Sequence, residues 1–582
     1  MKQHEIAAAF AQMADLLEYR GDNPFRIRAY RRAAQNLESF SGDLDRLAKA
    51  GRLEELSGIG SDLARKITEY LSTGTIAEHE RLKASIPRGV LELLEVPGIG
   101  PKTAKLLAER LGISTIGQLE GAARAHRLRS LPGFQEKKEE NILKGIGIVK
   151  KGRARLHLGI ALPLANELLG VLRKMATVDR VSAAGSLRRM RETIGDLDLL
   201  ASSTAPSSVI AAWRRSRFCK RVLAAGTTKA SILTPEGIQV DLRVVAPESF
   251  GAALQYFTGS KEHNVRLREL AVRQGLKVNE YGVFRTKTGK RMAGREEADV
   301  YQALGLAWIP PELREDQGEI EASRSDRLPE LVDAKDIRGD FHVHTTWSDG
   351  SDRLEDIARA GEGRGYQYLA ICDHSQSLKV AHGMSVARLR QQVARIRALN
   401  ARAKRFRLLA GAEVDILADG SMDYPNEVLA DLDFVVGAIH SGFTQGEAAL
   451  TRRIVAAMRN PHVTLIAHPT GRLMGQREPY PLDLDAVFRV AKETNTALEI
   501  NAYPKRLDLC DTAAHRATQV GAMLAISTDS HSLDQLDQIV LGLGVARRAW
   551  IEPRRLLNCF PTDQLLAWIA RKRPSRNIRG NA

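Results

Sequence analysis

Three aspartates and a scattered set of histidines are the residues whose types and spacing could do chemistry in this 582-residue sequence. The stretch Gly185-Ser186-Leu187-Arg188-Arg189 is followed by Gly195-Asp196-Leu197-Asp198, and later by Val240-Asp241-Leu242-Arg243. On a strand, Asp196 and Asp198 share one face while Leu197 and Leu199 turn into the core. Asp241, on a neighbouring apolar strand, can join them. Three clustered carboxylates repel one another unless cations intervene, and two Mg²⁺ (or Mn²⁺) ions with oxygen ligands relieve that repulsion and organise a triphosphate. The same pair of metals can activate an attacking 3′-hydroxyl and stabilise departing pyrophosphate. A lone Asp-x-Asp is more often a solvated strand end. The Gly-Ser-x-Arg-Arg lead-in and the separate strand carrying Asp241 give this one its meaning.

Nine of the 14 histidines fall after residue 340. The set comprises His342-Val343-His344, Asp349, Cys372-Asp373-His374, Glu413, His440, Ala467-His468-Pro469 and Asp529-Ser530-His531. His342 and His344 share one side of a strand, so both imidazoles can reach a single ion. Six histidines with Asp349, Glu413 and Asp529 offer about nine donors, too many for one tetrahedral ion and enough for two or three. Mixed nitrogen and oxygen donors favour Zn²⁺, Mn²⁺ or Fe²⁺ over Mg²⁺ alone. His382, His462 and His515 read as ordinary core or surface histidines. Arg472, Lys505 and Arg506 follow motif strands and could meet a substrate phosphate, although exposed basic residues are commonly solvated charge.

A third chemistry sits near the N-terminus. Leu56-Ser57-Gly58-Ile59-Gly60 precedes a helix through Lys66, and Val96-Pro97-Gly98-Ile99-Gly100 precedes a helix through Lys102 and Lys105. Glycines in such a turn permit positive φ and let the backbone approach a phosphate, whose charge meets the N–H groups of the next helix. Contacts of this kind hold a nucleic-acid backbone without reading its sequence. One Gly-Ile-Gly is usually a plain interhelical turn, whereas two copies followed by basic residues point to phosphate. Pro132-Gly133-Phe134-Gln135 lacks the second glycine and reads as structural.

The elements that must position these residues follow from periodicity. Ala7, Phe10, Met13, Leu16 and Leu17 recur at helical spacing, and similar patterns to about Leu169 predict an all-helical first third. Around Val181 short apolar runs, Leu197–Leu200 and Ile238–Val245, predict strands of an α+β unit. Residues 310–338 lack clear periodicity and read as a linker. Beyond Gly339, apolar strands such as Tyr368–Cys372, Phe434–Ile439, Val463–Ala467 and Met523–Ser527 alternate with helices, and most run into a His or Asp. Repeated βα units with functional residues at strand ends predict a barrel with a site at one mouth.

Bulk composition agrees. The chain is too long for one core, and its 86 Lys+Arg against 70 Asp+Glu give a net charge of +16 that attracts a polyanion. Four cysteines, Cys219, Cys372, Cys510 and Cys559, form no CxxC pair or disulfide framework, as expected of a reducing cytoplasm. No apolar run of about 20 residues predicts a membrane span.

Together with Tyr256-Phe257-Thr258-Gly259-Ser260, these motifs resemble the bacterial family X DNA polymerases with a C-terminal polymerase and histidinol phosphatase (PHP) domain. The resemblance implies a multidomain fold with all-α helix-hairpin-helix domains at the N-terminus, an α+β nucleotidyltransferase palm and thumb, and a C-terminal distorted (β/α) barrel of PHP type. The implied boundaries are 1–80 for a lyase-like DNA-binding domain, 81–150 for fingers, 151–255 for palm, 256–315 for thumb, 316–335 for a linker and 336–582 for the PHP domain. It implies that Asp196, Asp198 and Asp241 hold the palm metals, and that Gly185, Ser186, Arg189 and Gly195 contact the triphosphate. Tyr256, Phe257 and Gly259 would crowd the sugar 2′ position, with Asn264 and Arg268 near the nascent pair. Gly58, Gly60, Gly98, Gly100, Lys102 and Lys105 would bind DNA. Lys261 departs from the acidic residue of vertebrate repair members. Lys66 matches the Schiff-base lysine of members with lyase activity. The histidine set matches the PHP ligand pattern, which implies metal-dependent 3′→5′ exonuclease chemistry. The expected partners are gapped or primed duplex DNA and deoxynucleoside triphosphates, with no membrane and a monomer. Rival readings are a template-independent nucleotidyl transferase, a small-molecule phosphatase fused to a DNA binder, and a DNA scaffold with relic ligands.

Overall fold

The computed structural model describes residues 2–573, apart from 39–43, 57, 95, 97, 133, 153–154 and 404. Ser57, Pro97 and Gly133 of the hairpin motifs therefore lie outside the described residues. The helices from Lys2 to Gly152 close around one apolar core, in which Phe10 meets Tyr30 edge to face at 5.6 Å. Ile59 and Ile99, the middle residues of the two Gly-Ile-Gly turns, are both buried in that core, which leaves the glycines facing outward.

The palm follows. The helix Leu158–Arg173 packs on a five-stranded sheet built from β1 (Arg180–Ala183), β2 (Leu197–Ser202), β3 (Arg221–Ala225), β4 (Lys229–Leu233) and β5 (Gln239–Val245), in the order β1-β2-β5-β4-β3. Alternation on β5 buries Val240, Leu242 and Val244 and turns Gln239, Asp241 and Arg243 to the other face. β2 and β5 run parallel with Asp198 opposite Asp241, so pairing register alone brings two carboxylates together.

The thumb consists of the helices Phe250–Thr258, Lys261–Arg273 and Glu297–Gln302 with a meander of β6 (Leu276–Asn279), β7 (Gly282–Arg285) and β8 (Arg291–Ala293). A buried ion network ties it to the palm. Glu297 accepts from Arg188 at 2.7 and 2.8 Å, from the fully buried Arg314 at 2.7 Å and from the indole of Trp308 at 2.9 Å. Burial pushes the Glu297 carboxyl up, but the guanidinium groups of Arg188 and Arg314 outweigh it and hold it down at about 2. Because the folded value lies below the ordinary one, this contribution is complete above the unfolded carboxylate range and is lost as pH falls toward 2. Glu297→Gln strands buried guanidinium charge and is expected to destabilise the thumb by about 3–5 kcal/mol near neutral pH. Denaturant unfolding followed by tryptophan fluorescence checks this, and an unchanged transition refutes it.

Residues 316–335, expected as a linker, are instead a packed strap. The helix Glu319–Arg324 buries Glu319 against His263 at 2.6 Å and against the N–H groups of Asp316 and Gln317. Ile320 enters the thumb core, and the Val332 N–H donates to the Ile551 carbonyl. The segment lacked periodicity because its anchors divide between the thumb and the C-terminal unit.

The C-terminal unit is a parallel sheet of seven strands in sequential order: β9 (Gly339–Val343), β10 (Tyr368–Ile371), β11 (Arg407–Asp415), β12 (Phe434–Ala438), β13 (Leu465–Ile466), β14 (Ala497–Asn501) and β15 (Leu524–Ser527). A parallel bridge between Val343 and Ser530 draws the last strand to the first, giving a nearly closed barrel with helices outside. No helix among the described residues is long and apolar enough to cross a membrane.

Candidate active sites

In the palm, Asp196 lies in the bend just before β2, one step short of the strand expected for it, and Asp198 and Asp241 sit on adjacent strands. Gly185 packs against Asp198: with φ +60°, a Cβ there would come within 2.1 Å of the carboxylate oxygen. Burial, together with the charges of Asp196 and Asp241, pushes Asp198 up to about 7. A divalent cation between the carboxylates removes that penalty, so the donor set fits metal. Lys229, which sequence reasoning missed, stands 3.0 Å from Asp241 and balances part of its charge.

Beside the carboxylates opens a cleft of about 390 Å³ whose walls include Gly185, Ser186, Arg189, Tyr256, Phe257, Gly259, Asn264 and Arg268. Of the residues expected to meet nucleotide, Gly195 does not line it and instead lies near the Arg155 guanidinium. Asn264 donates to the Tyr256 carbonyl at 2.7 Å and accepts from Gln255 at 2.8 Å, which fixes the aromatic turn. Tyr256 and Phe257 meet edge to face, and Arg243 lies over the Phe257 ring at 4.3 Å. Arg189 reaches Glu315 at 3.0 Å and the Thr258 carbonyl at 2.5 Å.

At the barrel mouth all nine expected ligands converge. Three groups have donor atoms within 4.8 Å of one another: His344, Asp349, His374 and His531; His342, His344 and Asp529; and His374, Glu413 and His440. Glu413 is the hub, within 4 Å of His342, His344, His374, His440 and His468. His342 Nε2, both nitrogens of His344 and Glu413 Oε2 are buried without a hydrogen-bond partner, a state that cations relieve. Burial and the neighbouring imidazoles push His344 down to about 3, leaving it a neutral donor. Asp529 and His468 hold positive φ values of 55° and 28°, backbone strain that side-chain placement at a site sustains.

Sequence reasoning missed the groups that orient these ligands. Glu499 faces His342 Nδ1 at 2.9 Å, Asp415 faces His440 Nδ1 at 2.5 Å, and Asn501 donates to Asp529 at 3.1 Å. Such partners fix the tautomer and aim of a ligating imidazole. The available signal was a buried acid inside an apolar strand, Leu498-Glu499-Ile500. Arg472, considered for substrate phosphate, is instead committed to Glu192 of the palm at 2.7 and 3.1 Å. Arg506 approaches Asp529 at 3.7 Å and keeps a buried Nη1 without a partner.

The two glycine hairpins share one geometry. Gly58 and Gly98 adopt φ +76° and +88°, while Gly60 and Gly100 cap the helices Ser61–Thr73 and Pro101–Leu111 without a side-chain cap. A Cβ at Gly60 or Gly100 would meet open space, so their N–H ends are approachable by a phosphate. Lys102 is exposed and Lys105 half-buried on the second helix. Lys66 is different, being buried against Asp62 and, at 3.0 Å, Glu78. Burial pushes its amine down, but hydrogen bonds with Asp62, Glu78 and Tyr30 outweigh this and hold it above its ordinary value. An amine nucleophile needs the opposite shift, so this surrounding suits a lysine that binds phosphate as a cation.

Family models match in the same order. A helix-hairpin-helix domain matches residues 1–76, a SAM-like helix-hairpin-helix tandem 90–147, a DNA polymerase beta thumb 253–315 and a PHP domain 340–502. The tandem match spans the turn at 132–135, which was expected to be only structural. The DNA polymerase/3′-5′ exonuclease PolX of Bacillus subtilis (strain 168) is 40% identical over 573 residues, 98% of this chain and 100% of that protein. Probable phosphatases of Thermoanaerobacter sp. (strain X514) and Shewanella amazonensis (strain ATCC BAA-1098 / SB2B) are 26% and 28% identical, each over 38% of this chain and 89% and 88% of those proteins. With near-complete coverage by one relative and matches for its helical, thumb and barrel parts in sequence order, the chain belongs to the bacterial family X DNA polymerases that carry a PHP domain.

Proposed function

We propose that the chain fills short gaps in DNA during repair and trims 3′ ends at its barrel. The observation that carries this reading is that one chain holds an aspartate cluster beside the palm cleft and, apart from it, a cluster of imidazoles and carboxylates at the barrel mouth. In the palm, Asp196, Asp198 and Asp241 would hold two Mg²⁺ or Mn²⁺ ions, which when bound lower the barrier to in-line nucleotidyl transfer. Ser186 and Arg189 would bind the triphosphate, Tyr256 and Phe257 would exclude a 2′-hydroxyl by bulk, and Asn264 and Arg268 would orient the nascent pair. The hairpins at Gly58-Gly60 and Gly98-Gly100, helped by Lys102 and Lys105, would grip phosphates flanking the gap.

At the barrel mouth the nine donors suit two or three ions of Zn²⁺, Mn²⁺ or Fe²⁺, which when bound supply Lewis acidity for phosphoester hydrolysis. Glu499 and Asp415, which face Nδ1 of His342 and of His440, would hold those rings in one tautomer when metal is bound. Arg506, whose buried Nη1 has no protein partner, would receive a substrate phosphate. A cytoplasmic monomer acting on gapped or primed duplex with deoxynucleoside triphosphates completes the reading.

The barrel's likeness to phosphatases makes a small-molecule substrate the specific rival. Presenting the protein with Mn²⁺ and either a 3′-recessed duplex or histidinol phosphate separates them. Hydrolysis of the duplex at least about a hundredfold more efficient, some 2.7 kcal/mol in transition-state terms, is expected. Preference for histidinol phosphate overturns the exonuclease reading.

A further inference from the structure

From the end of the short helix Gly185–Arg188 toward the catalytic aspartates runs a palm segment, Arg188 to Glu192, in which four of five residues are hydrogen-bonded or closely packed from outside the palm. Arg188 is held by Glu297 of the thumb. The Arg189 guanidinium is held by Glu315, and the Arg189 carbonyl accepts from Arg548 at 2.8 Å. Met190 rests on Gly544, where a Cβ would come within 2.6 Å of its methyl. Glu192 receives two hydrogen bonds from Arg472. Three of those four grips therefore involve the C-terminal unit.

Arg548 is the centre of this arrangement. It ends the helix Ile539–Arg548, one turn beyond Gly544, so both face the same palm loop. Its side chain is 2% exposed; Nη1 donates to Glu315 at 2.8 Å as well as to the Arg189 carbonyl, and Nε donates to Asp511 at 2.8 Å. Glu315 thus divides its charge between Arg548 and Arg189, with Arg191 at 3.7 Å. Three guanidinium groups set against two carboxylates, Glu315 and Asp511, leave one positive charge in surplus beside the cleft that Arg189 lines. Without Arg548, Glu315 would attract Arg189 unopposed, and the Arg189 backbone would lose its donor.

We propose that Arg548 is a positioning residue for nucleotide binding in the palm, acting through Glu315 and the Arg189 backbone, so that the PHP domain forms part of the polymerase's triphosphate site. The inference rests on the polymerase reading above. It differs from a docking role, in which loss of Arg548 would impair both activities or neither.

The test is single-nucleotide incorporation into a one-nucleotide gap, with deoxynucleotide concentration varied and 3′ degradation measured on the same preparations. Arg548→Met is expected to raise the KM for deoxynucleotide about tenfold with a smaller change in kcat, while 3′ degradation stays at the starting level. Arg548→Lys, which keeps the charge but cannot make all three bonds, is expected to raise KM at least about threefold. Should Arg548→Met lose 3′ degradation through misfolding, the Lys variant decides. Arg547→Met serves as the comparison, because Arg547 pairs with Glu312 and the Val332 carbonyl and not with the palm loop. A KM within twofold of the starting protein in the Arg548 variants, or an equal rise in Arg547→Met, overturns the proposal. Failure of the unaltered protein to extend any primer would instead overturn the polymerase reading.

Discussion

Asp198→Ala is expected to abolish primer extension, by a factor of about 10³ or more, while 3′ degradation continues. The size follows from position. Asp198 lies opposite Asp241 in the sheet, its charge opposed by both acidic neighbours, and among the described residues Asp196 is the other carboxylate that lines the cleft. Alanine removes a donor that a flanking residue cannot replace, because Gly185 has no side chain and Ser186 offers only a hydroxyl. Extension of a primer into a one-nucleotide gap, followed on a denaturing gel, reads the effect. Extension within tenfold of the starting protein would mean that the carboxylates are a structural acid cluster.

The second large effect is the converse. His344→Ala should reduce 3′ degradation by about 10³ or more and leave extension in place. His344 belongs to two of the three donor groups, and its ring stacks 4.1 Å from His531 and lies 4.4 Å from His374. Its removal therefore takes a donor from two of the groups at once. Metal content measured on purified protein should fall together with degradation of a 3′-recessed duplex. Full degradation by the variant would sink the assignment of the barrel mouth as the nuclease centre.

Much of this site was legible because the chemistry constrains residue type. Carboxylates two apart before an apolar strand, imidazoles two apart on another, and Gly-Ile-Gly before a helix each place donors by local geometry alone. The barrel was legible for a related reason, since strands covered on both faces read as apolar runs and end where the site begins. What spacing could not show is partnership across the chain. Arg472 follows a motif strand and looked available for phosphate, yet Glu192, 280 positions earlier, takes it. Glu499 and Asp415 looked like strand interruptions until His342 and His440 were seen against them. Residues 316–335 carried no period because Glu319 and Ile320 answer to the thumb while Val332 answers to the C-terminal unit. Lys66 matched a motif, but only its neighbours Asp62 and Glu78 reveal the state of its amine.

The apolar cluster beneath the palm sheet does not stop at the palm: Leu168 and Trp213 belong to the same continuous interior as Val332, Leu541 and Val545, and Pro504 abuts Gly159. Neither catalytic unit can therefore drift in sequence on its own. A substitution at Leu541 that suited the nuclease would be judged also by the polymerase, so inheritance of the two activities as a single piece is written into shared packing, beyond the fact of one gene.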